Sequence, residues 1–113
     1  MRERTLRDVD MPEEDRELIL SFVKAVRAWA PRSLTSIILY GSVAKSRFPE
    51  EYDIDIALLF CHDFDHPRFY TEVYRIIKEL EPHRKMHVVL KWEGEVEPAY
   101  WKLIDRDGFA LYP

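Results

Sequence analysis

Ser36-Ile37-Ile38-Leu39-Tyr40-Gly41-Ser42, followed after ten residues by Asp53-Ile54-Asp55-Ile56-Ala57-Leu58-Leu59-Phe60, decides the architecture of this chain. The first run is β-branched and apolar up to a Gly-Ser break, the pattern of a buried strand that ends in a turn. The second alternates acid and apolar residue at its start and becomes apolar on both faces toward its end, which reads as a second buried strand. Upstream, Pro12 stands where a helix can start, and Glu13, Glu14 and Asp15 suit the positive end of a helix dipole. Leu18, Ile19, Phe22, Val23, Val26 and Trp29 then form one apolar stripe at helical spacing, closed by Pro31.

Downstream, His62 to Pro67 reads as a loop, and Phe69, Val73, Ile76, Ile77 and Leu80 mark a second amphipathic helix ending near Pro82. Met86 to Trp92 is a third strand, Glu97 to Asp105 a short helix, and Phe109 to Tyr112, after Gly108, a last short strand. Residues 1–11 are densely charged without periodicity and read as an N-terminal arm. The order α-β-(turn and short helix)-β-α-β-α-β, with no repeat or linker, predicts a single α+β domain over residues 1–113 with helices on at least one face of its sheet.

Composition agrees. A chain of 113 residues, 47% hydrophobic and 34% charged, has the length of one domain. No apolar run approaches the ~20 residues of a membrane span. The charged N-terminus is unlike a signal peptide, and the single cysteine, Cys61, forms no internal disulfide, so the expected location is the cytoplasm. A net charge of −4 argues against direct nucleic-acid binding, which needs a basic face.

The chemistry concentrates between Gly41 and Asp55. Asp53 and Asp55, two apart on a strand, project to one face about 6.6–7 Å apart along it, while Ile54 and Ile56 turn the other face to the core. Two carboxylates held so repel each other unless a cation lies between them, and Mg²⁺ is bound by one or two carboxylates together with substrate phosphates. Gly41 permits close backbone approach to a ligand. A short helix beginning after Ser42 would offer free N–H groups and the serine hydroxyl to an anion. Metal clamp and phosphate cradle together make a nucleoside triphosphate site.

The run Leu39-Tyr40-Gly41-Ser42, then ten residues, then Asp53-Ile54-Asp55-Ile56 resembles the signature of the polymerase-β nucleotidyltransferase superfamily. The length, the leading helix and the ending Gly108-Phe109-Ala110-Leu111-Tyr112 resemble its minimal nucleotidyltransferase (MNT) branch. The resemblance implies the polymerase-β-like α+β fold with a small mixed sheet, ATP as nucleotide donor and Mg²⁺ as cofactor. It implies that Gly41 and Ser42 hold the triphosphate, that Asp53 and Asp55 bind metal, and that Lys45 and Arg47 neutralise phosphate charge. It also implies a partner, a HEPN-domain toxin silenced by an antitoxin that transfers AMP onto it, and hence an oligomer or hetero-complex.

Three positions depart from the family pattern. His87 stands where a later strand normally brings a third carboxylate that ligates metal and helps activate the attacking hydroxyl; a neutral histidine is a base near pH 7. Glu93 and Glu95 lie beyond that strand and are weak substitutes. Tyr52 replaces a small serine before the first aspartate, and Ser46 replaces a glycine. The leading expectation is therefore Mg²⁺-dependent adenylyl transfer to a partner hydroxyl. The alternative is a degenerate relative that neutralises its partner by binding alone. A transferase acting on a small molecule would need an extra helical domain that this length does not hold.

Two other features carry weaker expectations. His62 and His66 have the four-residue spacing of zinc ligands on a helix, but Pro67 and the interleaved aspartates place them in a loop without a clear third ligand; Cys61 is expected to pack at the strand end. Trp92, Tyr100 and Trp101 serve either a partner surface or packing of the sheet.

Overall fold

In the computed structural model, residues 5–49, 51–95 and 97–113 are described; the side chains of Trp101, Leu103, Asp105 and Asp107 fall outside that description, and with them the reading of Trp101. Helix α1 spans Glu13–Trp29, with Pro12 as its N-cap. Leu18, Ile19, Phe22 and Val26 are buried, and Ala30 N–H closes the helix on the Val26 carbonyl at 2.7 Å before Pro31 redirects the chain. β1 is Leu34–Tyr40, α2 the single turn Gly41–Ala44, and β2 Ile54–Phe60. α3 runs His66–Leu80, β3 Met86–Trp92, α4 Pro98–Asp107 and β4 Phe109–Tyr112.

The four strands form one mixed sheet in the order β3-β2-β1-β4. β1 lies antiparallel to both β2 and β4, while β2 and β3 are parallel, joined by α3 as the crossover. Alternation sorts the side chains. Ile37, Leu39, Ile54, Ile56 and Leu58 meet α1 and α3 in the main core. Ile38, Ala57 and Leu59 face the other way onto Ile104 of α4, with Tyr40, Val89 and Tyr100 around them. Helices thus cover both faces, though the second carries only the ten-residue α4. At the outer edge of β3 the Tyr70 hydroxyl of α3 accepts from Leu90 N–H at 2.9 Å and donates to the Leu90 carbonyl at 3.4 Å.

Two expectations about the ends of elements need correction. Of the segment expected as a charged arm, residues 1–4 lie outside the described residues, and the described part is docked, because Val9 and Met11 alternate inward and are 2% and 7% exposed. A 3-10 turn at Leu6–Asp8 precedes them, and Arg16 donates to the Leu6 and Val9 carbonyls. The expected loop from His62 to Pro67 ends at Asp65, whose carboxylate accepts from Arg68 N–H at 3.2 Å and caps α3; Pro67 then falls in the first turn, where its missing N–H is harmless. Among the described residues, no helix is long and apolar enough to cross a membrane.

Candidate active site

β2 brings Asp55 into the row Leu59, Ala57, Asp55 on the α4 side of the sheet, where its carboxylate is partly exposed. Its strand partners are Tyr40 on β1 and His87 on β3, so the three residues stand side by side across the sheet. His87 Nδ1, in the tautomer protonated there, donates to Asp55 Oδ1 at 3.2 Å. The imidazole is 56% exposed and the carboxylate 24%. Burial pushes the Asp55 carboxyl above the ordinary carboxylate range, and the neighbouring Asp53 carboxylate pushes the same way, against the pull of His87.

Gly41 makes this placement possible. It opens α2 at φ +75°, and a Cβ there would stand 2.3 Å from Asp55 Oδ2. A turn bearing any side chain would drive the carboxylate away from the backbone. α2 begins at Gly41 itself, one turn that includes Ser42, and Lys45 and Arg47 follow as exposed residues. Arg47 N–H folds back on the Ser42 carbonyl at 2.9 Å. Tyr40, the residue before the turn, is a phenol held far above its ordinary titration range by burial and by its hydrogen bond with Tyr100 of α4.

Asp55, with the Asp53 carboxylate near enough to act on it, offers oxygen donors of the kind a hard divalent cation takes, beside a space at Gly41 that a Cβ would fill. Among the described residues, no three His, Cys, Asp or Glu side chains converge into a ready-made metal cage.

The model of the nucleotidyltransferase domain family matches residues 19–107, which include the Gly-Ser turn, both aspartates and His87. The chain belongs to the nucleotidyltransferase domain family. No curated protein sequence matches it. Among solved structures, a chain of a toxin–antitoxin complex crystallised with AMP-PNP superposes with a TM-score of 0.63 at 22% identity, over 82% of this chain and 71% of that one. The MntA–HepT toxin–antitoxin complex gives 0.59 at 20% identity over 86% and 71%. A chain of the complex of tri-AMPylated Shewanella oneidensis HEPN toxin with MNT antitoxin gives 0.57 at 21% identity over 84% and 71%. At these identities the likeness is one of fold.

Within this nucleotidyltransferase domain, the departures at Tyr52 and Ser46 have physical explanations. Ser46 adopts φ 53°, the left-handed conformation that glycine takes freely, and its hydroxyl donates to the Asp10 carbonyl at 2.8 Å. Tyr52 donates its hydroxyl to Asp15 Oδ2 at 2.5 Å. Asp15 is completely buried, and its Oδ1 also accepts from His83 Nε2 at 2.7 Å and Arg84 Nε at 3.1 Å. The Arg84 guanidinium covers the Tyr52 ring at 3.8 Å. Burial acts to raise the Asp15 carboxyl, but Tyr52, His83 and Arg84 more than offset it and hold it below the ordinary range.

Charge pattern reads Asp15 only as a first-turn acid. The apolar stripe is the signal that places it inside, since it stands three and four residues before Leu18 and Ile19. The remaining candidates separate from the site. Glu93 and Glu95 sit at the far end of β3, roughly 20 Å along the strand from His87; there Glu95 Oε1 accepts from Trp92 N–H. His66 stacks on Phe64 with ring centroids 4.3 Å apart, and its Nε2 bonds Asp63 Oδ1 at 2.9 Å. Cys61, expected to pack, is exposed. Trp92 packs on the main core and Tyr100 on the smaller one.

Proposed function

We propose that this nucleotidyltransferase domain transfers AMP from ATP to a hydroxyl of a partner protein, and that it acts as an MNT-type antitoxin on a HEPN-domain toxin. The observation that carries the reading is the contact of Gly41 with Asp55, with Asp53 and His87 beside it. In this reading Gly41 and Ser42 receive the phosphates, and Lys45 and Arg47 offset their charge. Asp53 and Asp55 hold Mg²⁺, which when bound screens the phosphate charge and polarises the phosphorus under attack. His87, oriented by Asp55, takes the proton of the attacking hydroxyl. The acceptor oxygen bonds to the α-phosphorus as pyrophosphate departs. The domain is small, its second face carries one helix, and the acceptor comes with the partner. Fold likeness to chains from toxin–antitoxin complexes, one holding an AMPylated HEPN toxin, supports the choice of partner.

A second reading is favoured by one observation. At the β3 position beside Asp55 stands an imidazole, where this chemistry ordinarily has a carboxylate. A site short of one negative ligand suits an antitoxin that binds its toxin without modifying it.

One experiment decides between them. The protein is mixed with the product of its neighbouring toxin gene, ATP and Mg²⁺, and the toxin mass is measured. An added AMP, absent with Asp53→Ala/Asp55→Ala, is the expected result. Inhibition of the toxin with no change of mass, and equally by the double variant, establishes the binding-only reading.

A further inference from the structure

The Asp15 cluster lies outside the residues just assigned to chemistry, yet it grips both strands that carry them. Tyr52 is three residues before Asp55, and Arg84 three residues before His87. The two parallel strands pair Asp55 with His87, and Ile54 N–H donates to the Lys85 carbonyl at 2.9 Å between the same two segments. One carboxylate, presented by the first turn of α1, therefore holds the entry of β2 through Tyr52 and the entry of β3 through His83 and Arg84. The same stretch of chain holds the other end of the connecting loop, where Ser46 binds the Asp10 carbonyl. A buried charge with three donors is a stiff joint, because losing any one leaves an unsatisfied group in a low-dielectric site.

We propose that Asp15 is a positioning residue of this nucleotidyltransferase site, fixing through Tyr52 and Arg84 where Asp53, Asp55 and His87 stand relative to one another. The proposal rests on the reading that the two aspartates hold the divalent cation used with ATP. A small displacement of the strand entries leaves the Gly41-Ser42 turn in place but separates the carboxylates from a shared cation, whose ligand distances tolerate little error. The consequence is specific: cation-dependent nucleotide binding weakens, and cation-independent binding does not.

The test uses the full chain and a fluorescent ATP analogue, titrated with and without Mg²⁺, alongside a thermal unfolding curve. Tyr52→Phe removes one hydroxyl and keeps the ring beneath Arg84; Asp15→Asn keeps the shape and removes the charge. Tyr52→Phe is expected to raise the Mg²⁺ concentration for half-maximal binding about tenfold while binding without Mg²⁺ is unchanged. Asp15→Asn is expected to do the same or more; if it fails to fold, Tyr52→Phe decides. An unchanged Mg²⁺ requirement in a folded Tyr52→Phe protein overturns the proposal. So does a parallel loss of both kinds of binding, which marks a purely structural role. Wild-type protein that binds no nucleotide with Mg²⁺ overturns the reading of the site, and the positioning role with it.

Discussion

Asp15 and Asp55 are two carboxylates in one small domain with opposite situations. The Asp15 side chain is 0% exposed, yet it is surrounded by a phenol, an imidazole and a guanidinium, and its acid form is disfavoured. Asp55 is 24% exposed, with one imidazole beside it and a second carboxylate close by, and its acid form is favoured. Depth of burial alone does not set the sign of these shifts; the number of donors does. A carboxylate whose bonds are complete fixes the fold. One that is partly exposed and has a single hydrogen-bond donor beside it has capacity for a ligand.

The contrast can be broken most forcefully at Asp15. Asp15→Ala removes the buried carboxylate that Tyr52, His83 and Arg84 share and is expected to destabilise the protein by about 3 kcal/mol, read from urea unfolding. A loss below ~1 kcal/mol would show that the cluster is not a structural joint. Gly41→Ala comes next. It combines strain at φ +75° with a Cβ placed against Asp55, and about 1–2 kcal/mol of lost stability is expected together with loss of nucleotide binding by calorimetry.

pH sharpens the comparison, because the two shifts have opposite signs. Asp15 has a folded value below its unfolded one, so its stabilisation is present above the ordinary carboxylate range and is lost as pH falls toward the lowered value. Asp55 has a folded value above its unfolded one; its ionisation opposes folding above that value, and the opposition is relieved on acidification. Asp55→Asn is therefore expected to unfold at equal or higher urea than wild type near neutral pH, by up to about 1 kcal/mol, while Asp15→Asn unfolds earlier. The difference between the two should narrow when the urea series is repeated near pH 3. Ser46→Gly has the smallest effect expected, within about 0.5 kcal/mol, since the left-handed conformation is relieved as the bond to Asp10 is lost.

Much of this domain is legible in the sequence because its signals are local. The α1 stripe, the apolar runs of β1 and β2, the bounds of β3 and the Gly-Ser turn follow from neighbours within a few residues. The joint at Asp15 is different: its three donors lie 37, 68 and 69 residues away, and spacing along the chain says nothing about them. Tyr52 and Ser46 look like blemishes in a motif until those long-range partners are seen. Val9 and Met11 were hidden for a related reason, two inward-facing residues among charges being too short a run to register as structure.

Tyr70 has a consequence for how this molecule can grow. An outer strand normally offers a row of main-chain donors and acceptors on which a foreign strand can be laid, the route to fibrils and to strand-exchanged dimers. On β3 both main-chain groups of Leu90, midway along that margin, are already engaged by a hydroxyl from α3. A newcomer would have to evict an aromatic residue before its first hydrogen bond there. Association along that side is thereby directed toward side chains and away from sheet extension.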